Sequence, residues 1–188
     1  HFQARARIMT CAARHDARGA ANGLLQYEGR LGVKAPFDCY NSVLMVQAYS
    51  GDGKGSVRWF ERMKSAGHTP NSASYDYVIQ AFCGGFDAAS AIKWREEQIS
   101  LGLKPGLTQP LQIATALAIC SKPQEAEQWL QLAENDGVDI DGTTFAAIVR
   151  SYTSLINPPD LPKATEWMNR ALAPGSLLPS PDASCFVH

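Results

Sequence analysis

The sequence predicts an all-α solenoid built from helix–turn–helix repeats of about 35 residues, and two columns of residues carry this prediction. The first column consists of four glycines that recur at one constant interval, Gly32, Gly67, Gly102 and Gly137. The second consists of the chain's four tryptophans, of which the first three keep the same interval and the fourth lies slightly farther on, Trp59, Trp94, Trp129 and Trp167. No segment sustains an alternation of apolar and polar residues with a period of two, so no sheet is expected.

Each repeat is predicted to contain two helices joined by a short turn. In the repeat at 72–106, the apolar run 75–82 ends at a Gly-Gly pair, and a longer run follows from Ala88 to Leu101. The second run has an apolar stripe at helical spacing and stops before Pro105, which cannot continue a helix. The column glycine after each second run suits a left-handed helix C-cap.

The period divides the chain into six units in order. The predicted units are a degenerate N-terminal repeat at 1–36, repeats at 37–71 and 72–106, a degenerate acidic repeat at 107–141, a repeat with insertions at 142–182, and a truncated repeat at 183–188. Turns between paired helices are expected at Gly51, Gly84-Gly85, Lys122-Pro123 and Asn157-Pro158-Pro159. The four tryptophans share the second helices with small residues such as Ala91 and Ala126, so they are predicted to form the core between neighbouring repeats.

Composition excludes several classes of protein. The chain has 188 residues, 45% of them apolar, and a formal charge of -1, which excludes intrinsic disorder and indicates no general affinity for polyanions. No apolar run is long enough to span a bilayer. Five widely spaced cysteines form no C-x-x-C pair, and the histidines show no ligand spacing. We therefore expect a non-catalytic protein with no metal, no cofactor and no small-molecule substrate.

Repeat 37–71 carries the most complete version of the motif. It contains, in order, Tyr40-Asn41-Ser42-Val43-Leu44, Gly51-Asp52, Val57-Arg58-Trp59-Phe60-Glu61-Arg62-Met63-Lys64, Gly67 and Pro70-Asn71. In these residues and their spacing the chain resembles the pentatricopeptide repeat family. The resemblance is strongest over 37–106 and loosest over 1–36. It implies a right-handed superhelix whose first helices bind single-stranded RNA in mitochondria or plastids, with one repeat facing one base.

The resemblance also implies which side chains would read bases, namely the fifth and last residues of each repeat. The corresponding pairs are Asn41 with Asn71, Asp76 with Gly106, Leu111 with Asp141, and Ala146 with Asp182. Only Asn41 with Asn71 resembles a competent pair, and it favours a pyrimidine, cytosine first, because amides donate and accept hydrogen bonds. The other three pairs have no comparable set of donors and acceptors.

Contacts to the RNA backbone are predicted only near the N-terminal end. The family's backbone lysines correspond here to Tyr49, Gly84, Ile119 and Ser154, none of which is basic. The unit at 1–36 carries six basic and two acidic residues, and Arg5 and Arg7 are its candidates for phosphate contacts; a transit segment is the alternative interpretation of these arginines. The unit at 107–141 carries one lysine and six acidic residues, which would repel phosphates.

Two functions remain open from sequence. The first is a weakly selective RNA-binding module of an organelle. The second is a scaffold subunit that binds proteins of a large organellar assembly, such as a ribosome or a photosynthetic or respiratory complex. Either protein would be soluble or peripherally attached. The chain around Cys185 and Phe186 is expected to continue or to pack on another protein, because a solenoid exposes its last apolar face.

Overall fold

The computed structural model describes residues 2–154 and 159–172, and these residues form ten α-helices and no strand. The all-α prediction is therefore confirmed. Handedness of a superhelix stays a prediction. Several predicted features lie outside the described residues: the turn residues Asn157 and Pro158, the candidate Asp182, the unit at 183–188, and the expectations for Cys185 and Phe186.

The chain divides into two compact units, His1–Gly106 and Leu107–His188. Unit 1 contains three helix pairs: α1 (Phe2–Ala13) with α2 (Ala17–Leu31), α3 (Phe37–Ser50) with α4 (Gly53–Ser65), and α5 (Ser72–Gly84) with α6 (Ala88–Ser100). The described part of unit 2 contains two pairs: α7 (Gln109–Ile119) with α8 (Pro123–Asn135), and α9 (Gly142–Thr153) with α10 (Leu161–Leu172).

Left-handed backbone ends the helices at two recurring places. The four column glycines, which follow α2, α4, α6 and α8, have φ between 63° and 87°, as the C-cap prediction required. In the four turns between paired helices that the structure describes completely, there is a second left-handed residue. It is Gly51 in one turn, and His15, Phe86 and Ser121 in the other three, with φ of 56° to 59°. These three positions were not predicted, because their residue types favour a right-handed backbone.

Aspartates cap the second helices. Asp16, Asp52 and Asp87 accept hydrogen bonds from backbone N–H groups in the first turns of α2, α4 and α6. The glycine-rich segment 51–56 is accordingly the turn between α3 and α4. In unit 2, α8 starts after Lys122, which makes no side-chain cap.

The core follows one small and one aromatic column. The small residues on the second helices are all buried, Ala20, Ser56, Ala91, Ala126 and Ala164. Aromatic residues near the start of three first helices are buried as well, Tyr40, Tyr75 and Phe145. Small side chains let paired helices approach closely, and the aromatic rings then fill the space where one repeat packs on the next.

The tryptophans occupy the rim of this core more often than its centre. Trp167 is buried, but Trp59, Trp94 and Trp129 are half-buried. In α4 and α8 the residue directly after the tryptophan, Phe60 or Leu130, is the fully buried one. Consecutive residues of a helix point about 100° apart, so the tryptophan and the residue after it face different surroundings. In α4 and α8 the residue at the centre of the core is therefore the one after the predicted tryptophan, and the tryptophan itself lies at the rim.

Candidate nucleic-acid interface

The first helices of unit 1 lie side by side. Helix α3 packs against both α1 and α5, and its partner α4 packs against α5. On α3 and α5 a stripe of residues at helical spacing stays exposed or half-buried, Asp38, Asn41, Met45, Tyr49, Asp76, Tyr77 and Gln80. We call these residues, together with the exposed residues of α1, the first-helix surface.

The structure brings Asn41 and Asn71 together through a third residue. The Ser74 hydroxyl lies 2.8 Å from Oδ1 of Asn41 and 3.0 Å from Oδ1 of Asn71. Asn41 is half-buried on α3, Asn71 is exposed, and Ser74 is fully buried. The two amides therefore share one small polar cluster at the edge of the first-helix surface.

Asn71 also has a structural task, because it is the N-cap of α5. Its Oδ1 accepts from the Ser74 N–H at 3.0 Å, and its own N–H donates to the Ser74 hydroxyl at 3.3 Å. These two hydrogen bonds form a capping box. Asp141 caps α9 in the same way, because its carboxylate accepts from the Thr144 N–H at 2.7 Å. In both repeats the last residue is therefore the N-cap of the first helix that follows.

Asp76 and Gly106 are also neighbours, but the Asp76 carboxylate is engaged within unit 1. Its Oδ1 accepts from Nε2 of the buried Gln98 at 2.9 Å, and the same Gln98 amide donates to Ser72 Oγ at 3.1 Å. A Cβ placed on Gly106 would lie 3.2 Å from Asp76 Oδ2. The glycine contributes no side chain to the pair, so this repeat offers no second group for base reading.

In unit 2 the corresponding positions have joined the core. Leu111 is 8% exposed and Ala146 is 4% exposed, so neither presents a side chain to a ligand. The residue that matches Ser74 still bears a hydroxyl: Thr144 Oγ1 lies 2.7 Å from Thr115 Oγ1 of α7. The polar link between neighbouring first helices persists there without an amide pair.

The two arginine candidates differ in their surroundings. Helix α1 packs on α2 and α3 with Ile8 and Ala12 buried, so the arginine-rich segment forms a first helix. Arg5 makes an exposed ion pair with Asp38 of α3 at 2.5 Å. Arg7 is exposed and makes no ion pair within the described residues. A phosphate would have to compete with Asp38 for Arg5 but not for Arg7.

A buried carboxylate joins the repeats of unit 1. Glu28 of α2 accepts hydrogen bonds from the Tyr40 hydroxyl, from Arg62 at 2.5 Å and from the Ala35 N–H at 3.2 Å. Burial acts to raise the pKa of Glu28, but these hydrogen bonds outweigh it and lower the pKa below its usual value. In unit 2 the pair of Arg170 and Glu134 also joins two second helices, and its carboxylate is more exposed.

Three polar or charged residues of first helices, Ser74, Asp38 and Arg150, were not among the candidates that the sequence predicted. Ser74 could have been found from the spacing Asn71-x-x-Ser74 before an apolar run, which is typical of a helix start. Asp38 and Arg150 have no local signature. Arg150 is exposed on α9 beside a groove of about 420 Å³ that Ile119 and Ala147 also line. It places a positive charge on a first helix of an otherwise acidic unit.

The described residues contain no group of three or more His, Cys, Asp or Glu residues that could hold a metal ion. Among the helices of the same residues, none combines the length and the apolar character needed to cross a bilayer.

Comparison with known proteins gives one consistent family. A model of the pentatricopeptide repeat domain matches residues 24–85. A mitochondrial pentatricopeptide repeat-containing protein of Arabidopsis thaliana is 20% identical to this chain over 120 residues, which make up 64% of this chain and 10% of that protein.

Solved structures match almost the whole chain. The pentatricopeptide repeat protein PPR10, in complex with an 18-nt psaJ RNA element, matches with a TM-score of 0.71 and 18% identity over 96% of this chain and 26% of its own. The pentatricopeptide repeat domain of protein-only RNase P 1 from Arabidopsis thaliana, in complex with tRNA, matches with a TM-score of 0.68 and 16% identity over 95% of this chain and 91% of its own. At such identities the likeness shows the fold, a helical-repeat solenoid. The chain spans only a small part of the curated relative and of PPR10.

Proposed function

We propose that the chain, which matches a model of the pentatricopeptide repeat domain over residues 24–85, is a pentatricopeptide repeat protein. In this proposal it is a non-catalytic module that binds single-stranded RNA weakly through the first-helix surface of unit 1. The observation that carries the proposal is the cluster of Asn41, Asn71 and Ser74. Both amides are accessible, and among the described residues neither Nδ2 group has a hydrogen-bond partner. Two free amide donors at one point can contact the edge of one unstacked base.

The same surface explains why binding should be weak. One amide pair can select one base, while Asp76 is engaged by Gln98 and the matching positions of unit 2 are buried. On this surface, phosphate contacts are left to Arg7 and to Arg5 once it leaves Asp38. Few phosphate contacts mean low affinity, because each released counterion contributes to binding.

We further propose an organellar setting, a mitochondrion or a plastid, in which the protein is soluble or peripherally attached to a complex. The support is the curated relative, whose name describes it as mitochondrial. The structures of PPR10 and of the RNase P 1 domain, both in complexes with RNA, support the RNA-binding part of the proposal.

The proposal is tested by titrating the purified chain with fluorescent single-stranded RNA pools at two salt concentrations. At physiological salt we expect a Kd of about 10⁻⁶ M or weaker. Asn41→Ala and Asn71→Ala should each reduce selectivity at one nucleotide, and Arg7→Ala should weaken binding to all sequences and reduce its salt dependence.

Matched controls lie on the second helices of the same unit. Asn22 on α2 and Arg58 on α4 are exposed but lie away from the first-helix surface, so Asn22→Ala and Arg58→Ala should leave both readouts unchanged. Absence of binding even at low salt, or equal effects of the control variants, would contradict RNA binding through this surface.

The second candidate, a protein scaffold, is favoured by unit 2. Its fifth-position residues Leu111 and Ala146 are buried and apolar, and the sequence of repeat 107–141 is strongly acidic. If RNA binding is absent while the chain comigrates with an organellar assembly, the scaffold becomes the better account. Comigration with RNA that is sensitive to Asn41→Ala supports the first function.

A further inference from the structure

We propose that Ser74 is a positioning residue for base selection: its hydroxyl holds the Asn41 amide oxygen inward, so that Asn41 and Asn71 present only N–H donors to a bound base. The inference rests on the proposed RNA binding and deepens it, because it determines which chemical edge of a base the site accepts. Ser74 is fully buried and would touch no RNA itself.

The hydrogen bonds of the cluster run in one direction. The Ser74 N–H donates to Asn71 Oδ1 at 3.0 Å, and the Asn71 N–H donates to the Ser74 hydroxyl oxygen at 3.3 Å. The hydroxyl then has one proton to give. The Asn71 oxygen, at 3.0 Å, already accepts the backbone N–H, whereas the Asn41 oxygen at 2.8 Å is nearer and has no other donor among the described residues.

The consequence concerns the opposite side of each amide. In a planar carboxamide the NH₂ group lies across from the oxygen, so fixing both oxygens on Ser74 turns both NH₂ groups away from it. The backbone N–H of Ser74 fixes Asn71 independently of the hydroxyl, because a backbone donor cannot reverse its role. Asn41 has no such backbone partner, and its orientation depends on the Ser74 hydroxyl.

A site with donors alone discriminates among the four bases. On the Watson–Crick edge, cytosine places two acceptors, N3 and O2, next to each other. Uracil separates its two carbonyl oxygens by an N–H, and adenine and guanine each place a donor beside their acceptor. Two adjacent donors therefore match cytosine best. An amide free to rotate would accept from N–H groups as readily as it donates to carbonyls, and the preference would be lost.

Unit 2 supplies a matched control for the structural part of this role. Thr144 occupies the same repeat position, its N–H donates to the capping Asp141 at 2.7 Å, and its hydroxyl bonds Thr115 of the neighbouring first helix. It has no amide pair to orient, since the residues that correspond to Asn41 and Asn71 are Leu111 and Asp141. Loss of the Thr144 hydroxyl should therefore affect helix packing but not base selection.

The test measures the affinity of the purified chain for RNA oligonucleotides that differ at one position, with C, U, A or G there. For the wild type we expect the tightest binding with C. Ser74→Ala should lower the C-over-U and C-over-G ratios about fivefold or more, with little change in the mean affinity over the four oligonucleotides, because one bidentate contact becomes ambiguous. Ser74→Thr should keep the ratios, and Thr144→Ala should leave them at the wild-type value.

Each outcome decides between separate claims. No RNA binding by the wild type would refute the proposed function and with it the premise of this inference. Wild-type selectivity that survives Ser74→Ala in a folded protein would overturn the positioning role while leaving RNA binding intact. Equal losses of selectivity in Ser74→Ala and Thr144→Ala would mean that the hydroxyls serve only packing.

A second variant keeps the inference testable if Ser74→Ala does not fold. Asn41→Asp retains an oxygen for the Ser74 hydroxyl but replaces the outward NH₂ group with an acceptor. It should abolish the preference for C and favour a base with donors on its edge. A preserved preference for C in Asn41→Asp would show that the outward group of Asn41 is not the donor.

Discussion

Units 1 and 2 share one architecture but use the fifth residue of the repeat in opposite ways. In unit 1 that residue is polar and accessible, as Asn41, or polar and engaged at the surface, as Asp76. In unit 2 it is Leu111 or Ala146, and both are buried. The comparison shows that a helical repeat can keep its packing whether its fifth residue is polar and accessible or apolar and buried, because packing needs only an apolar side chain of suitable size.

The polar link between neighbouring first helices is present in both units. Ser74 in unit 1 and Thr144 in unit 2 both follow a capping residue, and both donate or accept across to the preceding first helix. Helix capping and contact between neighbouring first helices are therefore common to both units, and in unit 1 the partner of the hydroxyl is the Asn41 amide oxygen.

The largest expected loss of stability comes from the aromatic core of unit 1. Phe60→Ala removes a fully buried ring that contacts Tyr75 and Trp94 at centroid distances of 4.9 Å and 5.0 Å. It should cost about 3–5 kcal/mol of unfolding free energy. Trp94→Ala should cost less, about 1–3 kcal/mol, because the indole is half-buried. Urea unfolding followed by circular dichroism measures both, and a greater loss for Trp94→Ala would reverse our assignment of the core.

The next effect tests the difference between the units directly. Leu111→Asn places an amide in the core of unit 2 and should cost about 2–4 kcal/mol, from lost apolar burial and a desolvated polar group. The reciprocal Asn41→Leu at the half-exposed site should change stability by about 1 kcal/mol or less, although it should abolish base selectivity. Similar costs for the two variants, measured by urea unfolding, would show that the burial difference is unimportant.

A smaller loss of stability is expected when the ion pairs that join second helices are broken, and it should differ between the two units. Arg62→Ala leaves Glu28, whose side chain is 9% exposed, without its cation, whereas the Glu134 partner of Arg170 is more exposed. At pH 7 the loss should be about 1–2 kcal/mol for Arg62→Ala and about 0–1 kcal/mol for Arg170→Ala. Urea unfolding of both variants measures the difference.

The same pair predicts a pH dependence. The pKa of Glu28 is lowered in the folded protein. Its contribution to stability is therefore full above the unfolded-state pKa of about 4.3 and is lost as pH falls through the folded-state pKa. The cost of Arg62→Ala should shrink below about pH 4. A cost independent of pH would contradict the role of the Glu28 carboxylate.

The smallest effect concerns helix caps. Asp52→Ala removes the 2.8 Å hydrogen bond to the Gly55 N–H. This loss should cost about 1 kcal/mol. Lys122 occupies the same position before α8 without a side-chain cap, so Lys122→Asp should stabilise unit 2 by about 0.5–1 kcal/mol. Lys122→Ala, which removes the charge without adding a cap, is the control in thermal unfolding. An equal gain from both Lys122 variants would assign the effect to charge rather than capping.

Local features were readable from the chain itself. The repeat period, the paired helices and the left-handed Gly67 and Gly102 all depend on residues within a few positions of one another, where helical geometry and backbone sterics act. The same local logic placed the turns at Gly51 and at Lys122-Pro123. The pairing of Asn41 with Asn71 as candidates came from the family resemblance rather than from local rules.

Sequence by itself therefore determined the repeat, its helices and the candidate amides, but only the tertiary structure decided what those side chains do. Asn41 meets Ser74 across 33 positions, Arg5 meets Asp38 across the same separation, and Leu111 becomes buried. Each outcome depends on how one helix packs on the next, which brings together residues about one repeat apart. Burial and hydrogen-bond direction are properties of that packing, and residue type and spacing along the chain do not specify them.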